Sequence, residues 1–163
     1  LLRWGGWFRR AGMRNVMLDT HQYLIAMEDP LFSGPARRLY LRSRRLPWLY
    51  RMLVGASGIV IRSAARRIPV LVGEWCVENQ WALHSQNRSA AYRQVSRLQR
   101  AAWDVSAGQI YWSYQLARSA KPGSGEGKPP RDPRNGGNLE AWDLTRVWRH
   151  GWIRADTSHD DMP

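Results

Sequence analysis

Pro69-Val70-Leu71-Val72-Gly73-Glu74-Trp75 is the stretch on which the reading of this chain turns. A proline opens it, three aliphatic residues follow, and it closes on a glycine, a carboxylate and an indole. A short apolar run bounded by breakers reads as a buried strand. A strand that delivers polar groups at its C-terminal end reads as a member of a parallel sheet. Two other stretches have this form. Asn15 to Leu18 is short and apolar and runs directly into Asp19, Thr20, His21, Gln22 and Tyr23. Gln109 to Leu116 is rich in β-branched and aromatic residues, as strands are.

Helical patterns separate the three. Ser89 to Trp103 is the clearest, with Tyr92, Val95, Leu98 and Ala102 at helical spacing and Arg93, Arg97 and Arg100 opposite. Between the first two strands, one helix is expected from Pro47 to about Val54 and another from Ile59 to Arg67. Gly55 and Gly58 are expected to interrupt them. Arg66 and Arg67 would then occupy a last turn, where cations suit the helix dipole. Pro30–Pro47 and the Pro/Gly-rich Lys121–Asn138 read as loops, Trp142–Trp152 as a last ordered piece, and Asp156–Pro163 as a tail. Strands alternating with helices predict βαβ units and a parallel sheet, so residues 1–155 read as one α/β unit.

Composition narrows the classes. The chain has 163 residues, enough for about one domain. Its 44% hydrophobic and 23% charged residues exclude a wholly disordered chain. The longest apolar run, Met52 to Ile61, is far short of the roughly 20 residues a membrane span needs. The net charge of +12 raises the question of a polyanionic partner. No recognised nucleic-acid module accompanies that charge, and none is expected to bind. The excess is almost all arginine, since lysine occurs only at Lys121 and Lys128; an arginine bias across a whole chain can equally reflect coding preference. With Cys76 as the one cysteine, an intramolecular disulfide and a Cys-rich zinc site are both excluded, and the compartment stays open. His84, His150 and His159 have no metal-ligand spacing, so no metal and no cofactor are assigned.

The chemistry-bearing residues gather at the three strand ends. His21 and Tyr23 follow the first, Glu74 and Trp75 end the second, and Trp112 and Tyr114 lie at the third. In a parallel sheet these ends open on one side, so a carboxylate, a phenol, an imidazole and indole faces would converge. Such a set suits sugar hydrolysis, in which a carboxylate attacks the anomeric carbon and an aromatic face holds the ring. Each residue also has a plainer reading. Glu74 fits a loop carboxylate or a helix N-terminal acid, His21 a satisfied interior histidine, and Trp112 a core indole. Glu78 reads as a solvated loop residue. Ser57, Ser85 and Cys76 lack the motif or the partner base of a nucleophile.

Four segments together resemble the C-terminal part of glycoside hydrolase family 5, the cellulase and exo-β-1,3-glucanase family. They are LDTHQY (Leu18–Tyr23), PVLVGEW (Pro69–Trp75), YWSY (Tyr111–Tyr114) and AWDLTRVWRHGWI (Ala141–Ile153). The resemblance covers about Asn15 to Ile153. It implies the last three βα units of an eight-stranded (β/α)8 TIM barrel. Asp19, His21 and Tyr23 match the family's Asp-x-His-x-Tyr series, and Gly73, Glu74 and Trp75 match the Gly-Glu-aromatic motif of its nucleophile. Trp112 matches its sugar-stacking tryptophan. The resemblance further implies a retaining β-glucanase or β-glucosidase. Glu74 would be the nucleophile, with Tyr23 and His21 beside it and Trp112 and Trp75 on the sugar. The substrate would be a β-glucan or β-glucoside, no cofactor would be needed, and an extracellular location would be usual.

The family's acid/base glutamate follows an asparagine, and no Asn-Glu pair occurs in this sequence. The chain is therefore expected to be a C-terminal portion of such an enzyme. One carboxylate cannot serve as both nucleophile and acid/base, and the missing step is typically worth 10²–10⁴-fold, so little hydrolysis is expected from this stretch alone. A different class remains open: a non-catalytic, basic, Trp-rich module that binds nucleic acid or glycan through the Arg37–Arg67 block, which itself reads most simply as a solvated helix face.

Overall fold

In the computed structural model, residues 7, 10–32, 46–116 and 139–154 are described, with backbone only at 29–32. Three strands, β1 (Leu18–Gln22), β2 (Val70–Trp75) and β3 (Gly108–Tyr111), form one parallel sheet in the order β1-β2-β3. The described helices are α1 (Leu24–Phe32), α2 (Leu46–Ala65), α3 (Gln80–His84), α4 (Arg88–Trp103) and α5 (Leu144–Arg149). A 3-10 turn, Leu139–Trp142, precedes α5. The molecule is thus mixed α/β with a small parallel sheet, as the alternating pattern predicts. The expected loop Pro30–Pro47 is helical at both described ends, since α1 runs on to Phe32 and α2 begins at Leu46, and its residues 33–45 lie outside the described residues, as do the expected loop at 121–138, the tail at 156–163 and most of the opening segment.

Further expectations about elements are corrected, and the third strand, expected over Gln109–Leu116, spans only Gly108–Tyr111. The first strand is not Asn15–Leu18 but Leu18–Gln22, so the polar series is itself the strand. Among the described residues, the helices pack on the face of the sheet that carries Val70 and Val72. Leu18 packs into that covered side, while Asp19 and His21 alternate onto the open one. The two helices expected around Gly55 and Gly58 are one continuous helix, α2. Each glycine costs about 1 kcal/mol relative to alanine in a helix. Burial of Tyr50, Val54 and Ile61 on the inner face contributes about 1.5–3 kcal/mol each, which outweighs that cost. Gly58 has a packing role besides. Its missing side chain lets α2 approach α4 so closely that a Cβ would stand 2.8 Å from the Ala102 carbonyl oxygen. Gly55 faces open space.

The core lies between the sheet and these two helices. Val70, Val72 and Trp75 of β2 meet Ile61 and Ala64 of α2 and Tyr92 and Trp103 of α4. The expected face of α4 is the buried one, with Tyr92 and Val95 fully enclosed. Trp103 also anchors α2 by donating its indole N–H to Ser57 Oγ at 2.8 Å. The C-terminal segment closes the far side. Trp152 stacks on Tyr92 with centroids 4.1 Å apart, and its carbonyl accepts from Ser96 Oγ at 2.6 Å. Asp143 caps α5, accepting from Arg146 N at 3.1 Å, and also holds Leu116 N at 3.1 Å. One carboxylate therefore ties the chain after β3 to the start of α5.

β2 carries one extra residue against both neighbours. Thr20 pairs with Val72, but His21 pairs with Glu74, so Gly73 is skipped. On the other side Val72 pairs with Gln109 and Trp75 with Tyr111, the same excess of one. Bulges are uncommon in parallel pairs and reverse the face on which every later side chain lies. Without this one, Glu74 would share the buried face of Val70 and Val72. With it, Glu74 joins Asp19 and His21 on the open face and Trp75 turns inward.

Candidate active site

The site is assembled at the C-terminal ends of β1 and β2. Tyr23, directly after β1, donates its hydroxyl to Glu74 Oε2 at 2.7 Å. His21 lies between two carboxylates. Its Nδ1 is 3.3 Å from the same Glu74 Oε2, and its Nε2 is 3.4 Å from Asp19 Oδ2. Whichever ring nitrogen carries a proton therefore faces an acceptor. Asp19 also reaches back to the bulge, where its Oδ1 accepts from Gly73 N at 3.1 Å. A Cβ at Gly73 would stand 2.7 Å from Asp19 Cγ and overlap the carboxylate, so any other residue there would displace it.

The Tyr23 phenol is held well above the ordinary tyrosine range. Burial is the main cause, followed by the hydrogen bond to Glu74 and the charge of Glu74. Tyr23 is also braced from behind. Trp142 of the 3-10 turn stacks on its ring with centroids 5.2 Å apart and an interplanar angle of 26°. Trp142 is in turn fixed by its backbone, its carbonyl accepting from Ser113 N at 2.6 Å.

The five residues expected at the site divide as follows. Glu74, Tyr23 and His21 are brought into contact. Trp112 stands one residue beyond β3, where its N–H donates to the Trp75 carbonyl at 2.8 Å. Its indole is 50% exposed rather than part of the core, and its peptide bond to Ser113 is cis. Trp75 is a correction. Its side chain is only 5% exposed and makes edge contacts with Trp103 and Tyr111 at 5.6 and 5.0 Å, so it packs in the core and offers no face to a sugar. Plain alternation along Val70 and Val72 points Trp75 outward, and the bulge at Gly73 reverses this.

Other residues were not legible at the start. Glu78, expected in solvent, is 1% exposed. The segment from Cys76 to Gln80 is enclosed because Asn79 caps α3, accepting from Ala82 N at 2.8 Å, and Gln99 Nε2 donates to the Cys76 carbonyl at 3.0 Å. Glu28 of α1 is also buried. It accepts from the Tyr50 hydroxyl and from Gln80 N at 2.9 Å, so it joins α1 and α2 to α3. Burial first, then the Glu28 charge, pushes the Tyr50 phenol above its usual range. Trp142 had one signal, its place immediately before an aspartate that caps a helix. Among the described residues, no group of three His, Cys, Asp or Glu side chains is placed to hold a metal ion, and no helix is long and apolar enough to cross a membrane. Of the Arg37–Arg67 block, Arg37, Arg38, Arg42, Arg44 and Arg45 lie outside the described residues, and Arg51, Arg62, Arg66 and Arg67 are exposed. No model of a known protein family matches the chain, and a search of curated proteins finds no match.

Proposed function

We propose that this chain is the C-terminal part of a retaining β-glucosidase or β-glucanase built on a (β/α)8 barrel, with Glu74 as its nucleophile. The observation that carries the reading is the shared oxygen: Tyr23 and His21 both address Glu74 Oε2 at the C-terminal mouth of a parallel sheet. Among the described residues no donor engages Oε1, which leaves it as the attacking oxygen. In this mechanism Oε1 forms a bond to the anomeric carbon and the leaving oxygen departs with its electron pair. Tyr23 holds the carboxylate in the attacking orientation, and His21 borders the same subsite. Trp112, half exposed beside the strand ends, stacks on the sugar. The acid/base carboxylate comes from outside this stretch and would stand about 5 Å from Glu74, the separation that retention requires.

A leaving group that needs no protonation isolates the nucleophile from the missing acid. A dinitrophenyl 2-deoxy-2-fluoro-β-glucoside should therefore transfer its glycosyl group to Glu74, and with no base to activate water the ester should persist. Intact-mass and peptide-mapping mass spectrometry should find one adduct, on Glu74, absent in Glu74→Gln. An unmodified wild-type chain, or an adduct elsewhere, overturns the reading. Turnover of an ordinary aryl β-glucoside should remain about 10²–10⁴-fold below that of an enzyme with both carboxylates.

A second reading rests on the outer face of α2. Trp48 is 61% exposed there beside Arg51, with Arg62 further along and no acidic residue in the helix. That face suits a basic glycan- or nucleic-acid-binding module. Binding of a single-stranded oligonucleotide that weakens with salt and falls in Arg51→Gln would favour it, and binding unchanged by either removes it.

A further inference from the structure

We infer that Asp19 is the positioning residue of this site: its carboxylate pins the bulge in β2 with one oxygen and orients His21 with the other, and so decides that Glu74 reaches the mouth. The inference rests on Glu74 being the working group, as proposed above, but the device is visible in the geometry alone. Oδ1 accepts from Gly73 N at 3.1 Å, and Oδ2 faces His21 Nε2 at 3.4 Å. Gly73 is the residue that β1 skips, and it lies within the Val72–Trp75 step where the register against β3 also slips by one. A skipped residue has no ladder partner for its N–H on that side, and an unsatisfied backbone donor is costly, so a bulge needs an acceptor from elsewhere. Asp19 is that acceptor, and the space a Gly73 side chain would fill is the space its carboxylate occupies.

The consequence is a division of labour along β1. Asp19 sets the phase of β2, His21 receives its orientation from Asp19, and Tyr23 binds the carboxylate thereby presented. Asp19 touches neither Glu74 nor any reacting atom in this arrangement. It acts through Gly73 and His21.

Two measurements independent of turnover test this in the full chain. The first is amide hydrogen exchange at Gly73. Asp19→Ala should accelerate it about tenfold, the scale of one lost hydrogen bond to a charged group. Asp19→Asn, which keeps an oxygen acceptor of the same shape, should stay within about threefold of wild type by the same reasoning. The second is the ring carbon resonance next to the Tyr23 hydroxyl in tyrosine-labelled protein, assigned with Tyr23→Phe. It reports the bond to Glu74. Glu74→Gln should move it, and Asp19→Ala should move it in the same direction, which a residue of merely structural role would not do.

If Gly73 exchange and the Tyr23 resonance in Asp19→Ala both equal wild type, the inference is overturned. A tenfold acceleration in Asp19→Asn overturns it as well, and keeps the test open even if Asp19→Ala does not fold. The rate of fluoroglucosyl transfer separates this idea from the functional reading. Wild-type labelling with an unchanged rate in Asp19→Ala sinks the positioning role alone. No wild-type labelling, with Gly73 exchange still accelerated in Asp19→Ala, sinks the glycosidase reading alone.

Discussion

The two glycines of α2 set up a paired experiment in which one substitution should act in opposite directions three residues apart. Gly55 has nothing within 4 Å of where a Cβ would lie. Gly55→Ala therefore adds only helix propensity, about 0.5–1 kcal/mol of stabilisation. Gly58→Ala gains the same propensity but meets α4. Its Cβ would lie 2.8 Å from the Ala102 carbonyl oxygen and 3.0 Å from Ala102 Cβ. These atoms cannot rotate away as a long side chain could, so the two helices must separate. Separation loosens Val54 and Ile61 on one side and strains the Trp103 bond to Ser57 on the other. Overpacking of this kind costs about 1–3 kcal/mol, so the net effect should be a loss of about 1 kcal/mol. The two variants should then differ by about 2 kcal/mol, a factor of about thirty in the folding equilibrium. Urea unfolding followed by tryptophan fluorescence measures both. The midpoint should rise for Gly55→Ala and fall for Gly58→Ala, with similar slopes. If Gly58→Ala is as stabilising as Gly55→Ala, α2 does not approach α4 at Gly58 and the account of a continuous packed helix fails.

Three other outcomes follow from the buried ionisable groups. Asp143 is held below the usual carboxylate range: burial, the largest single influence, opposes this, but hydrogen bonds from Thr145, Leu116 and Arg146 and the Arg146 charge outweigh it. A depressed carboxylate contributes stability above its unfolded value that disappears as pH falls through the folded one. Asp143→Asn should therefore lower stability by about 1–2 kcal/mol at neutral pH and flatten its acid dependence, as urea midpoints between neutral and acidic pH would show. Tyr23, Tyr50 and Tyr111 are raised, chiefly by burial, so their contribution is intact below about pH 10 and is lost as pH climbs toward their folded values. Tyrosinate absorbance should show these three titrating late or together with unfolding, and an ordinary titration of all three would contradict their burial. Burial also raises the Cys76 thiol, helped by the Glu78 and Glu28 charges, against a weaker opposing backbone bond from Glu78. Its labelling by an aromatic disulfide reagent should be slow in the native chain and rise in step with urea unfolding; rapid labelling of native protein would refute the enclosed 76–80 segment.

Local pattern carried much of this molecule. The aliphatic run from Val70 to Val72, bounded by Pro69 and Gly73, read as a covered strand and is one, and the helical spacing of Tyr92 and Val95 named the buried face of α4. The meeting of His21, Tyr23 and Glu74 was legible because residue type and position at strand ends are properties of the chain itself. What lay beyond reach was every feature that depends on a neighbour distant in sequence. The phase of β2 after Val72 changes at Gly73, whose N–H is held by Asp19, 54 residues earlier, so the expectation that Glu74 and Trp75 would both face the mouth held for Glu74's position and failed for Trp75. Gly58 reads as a breaker until Ala102 lies against it. Glu78 reads as solvated because a carboxylate is costly to bury, and nothing in the sequence singles out Glu28; only the packed structure supplies Glu28 with Tyr50 and Gln80 to offset that cost. Composition and periodicity determine which residues can be inside. Tertiary contact decides which way a bulged strand turns and which charges are enclosed, because those depend on the partner that fills the space.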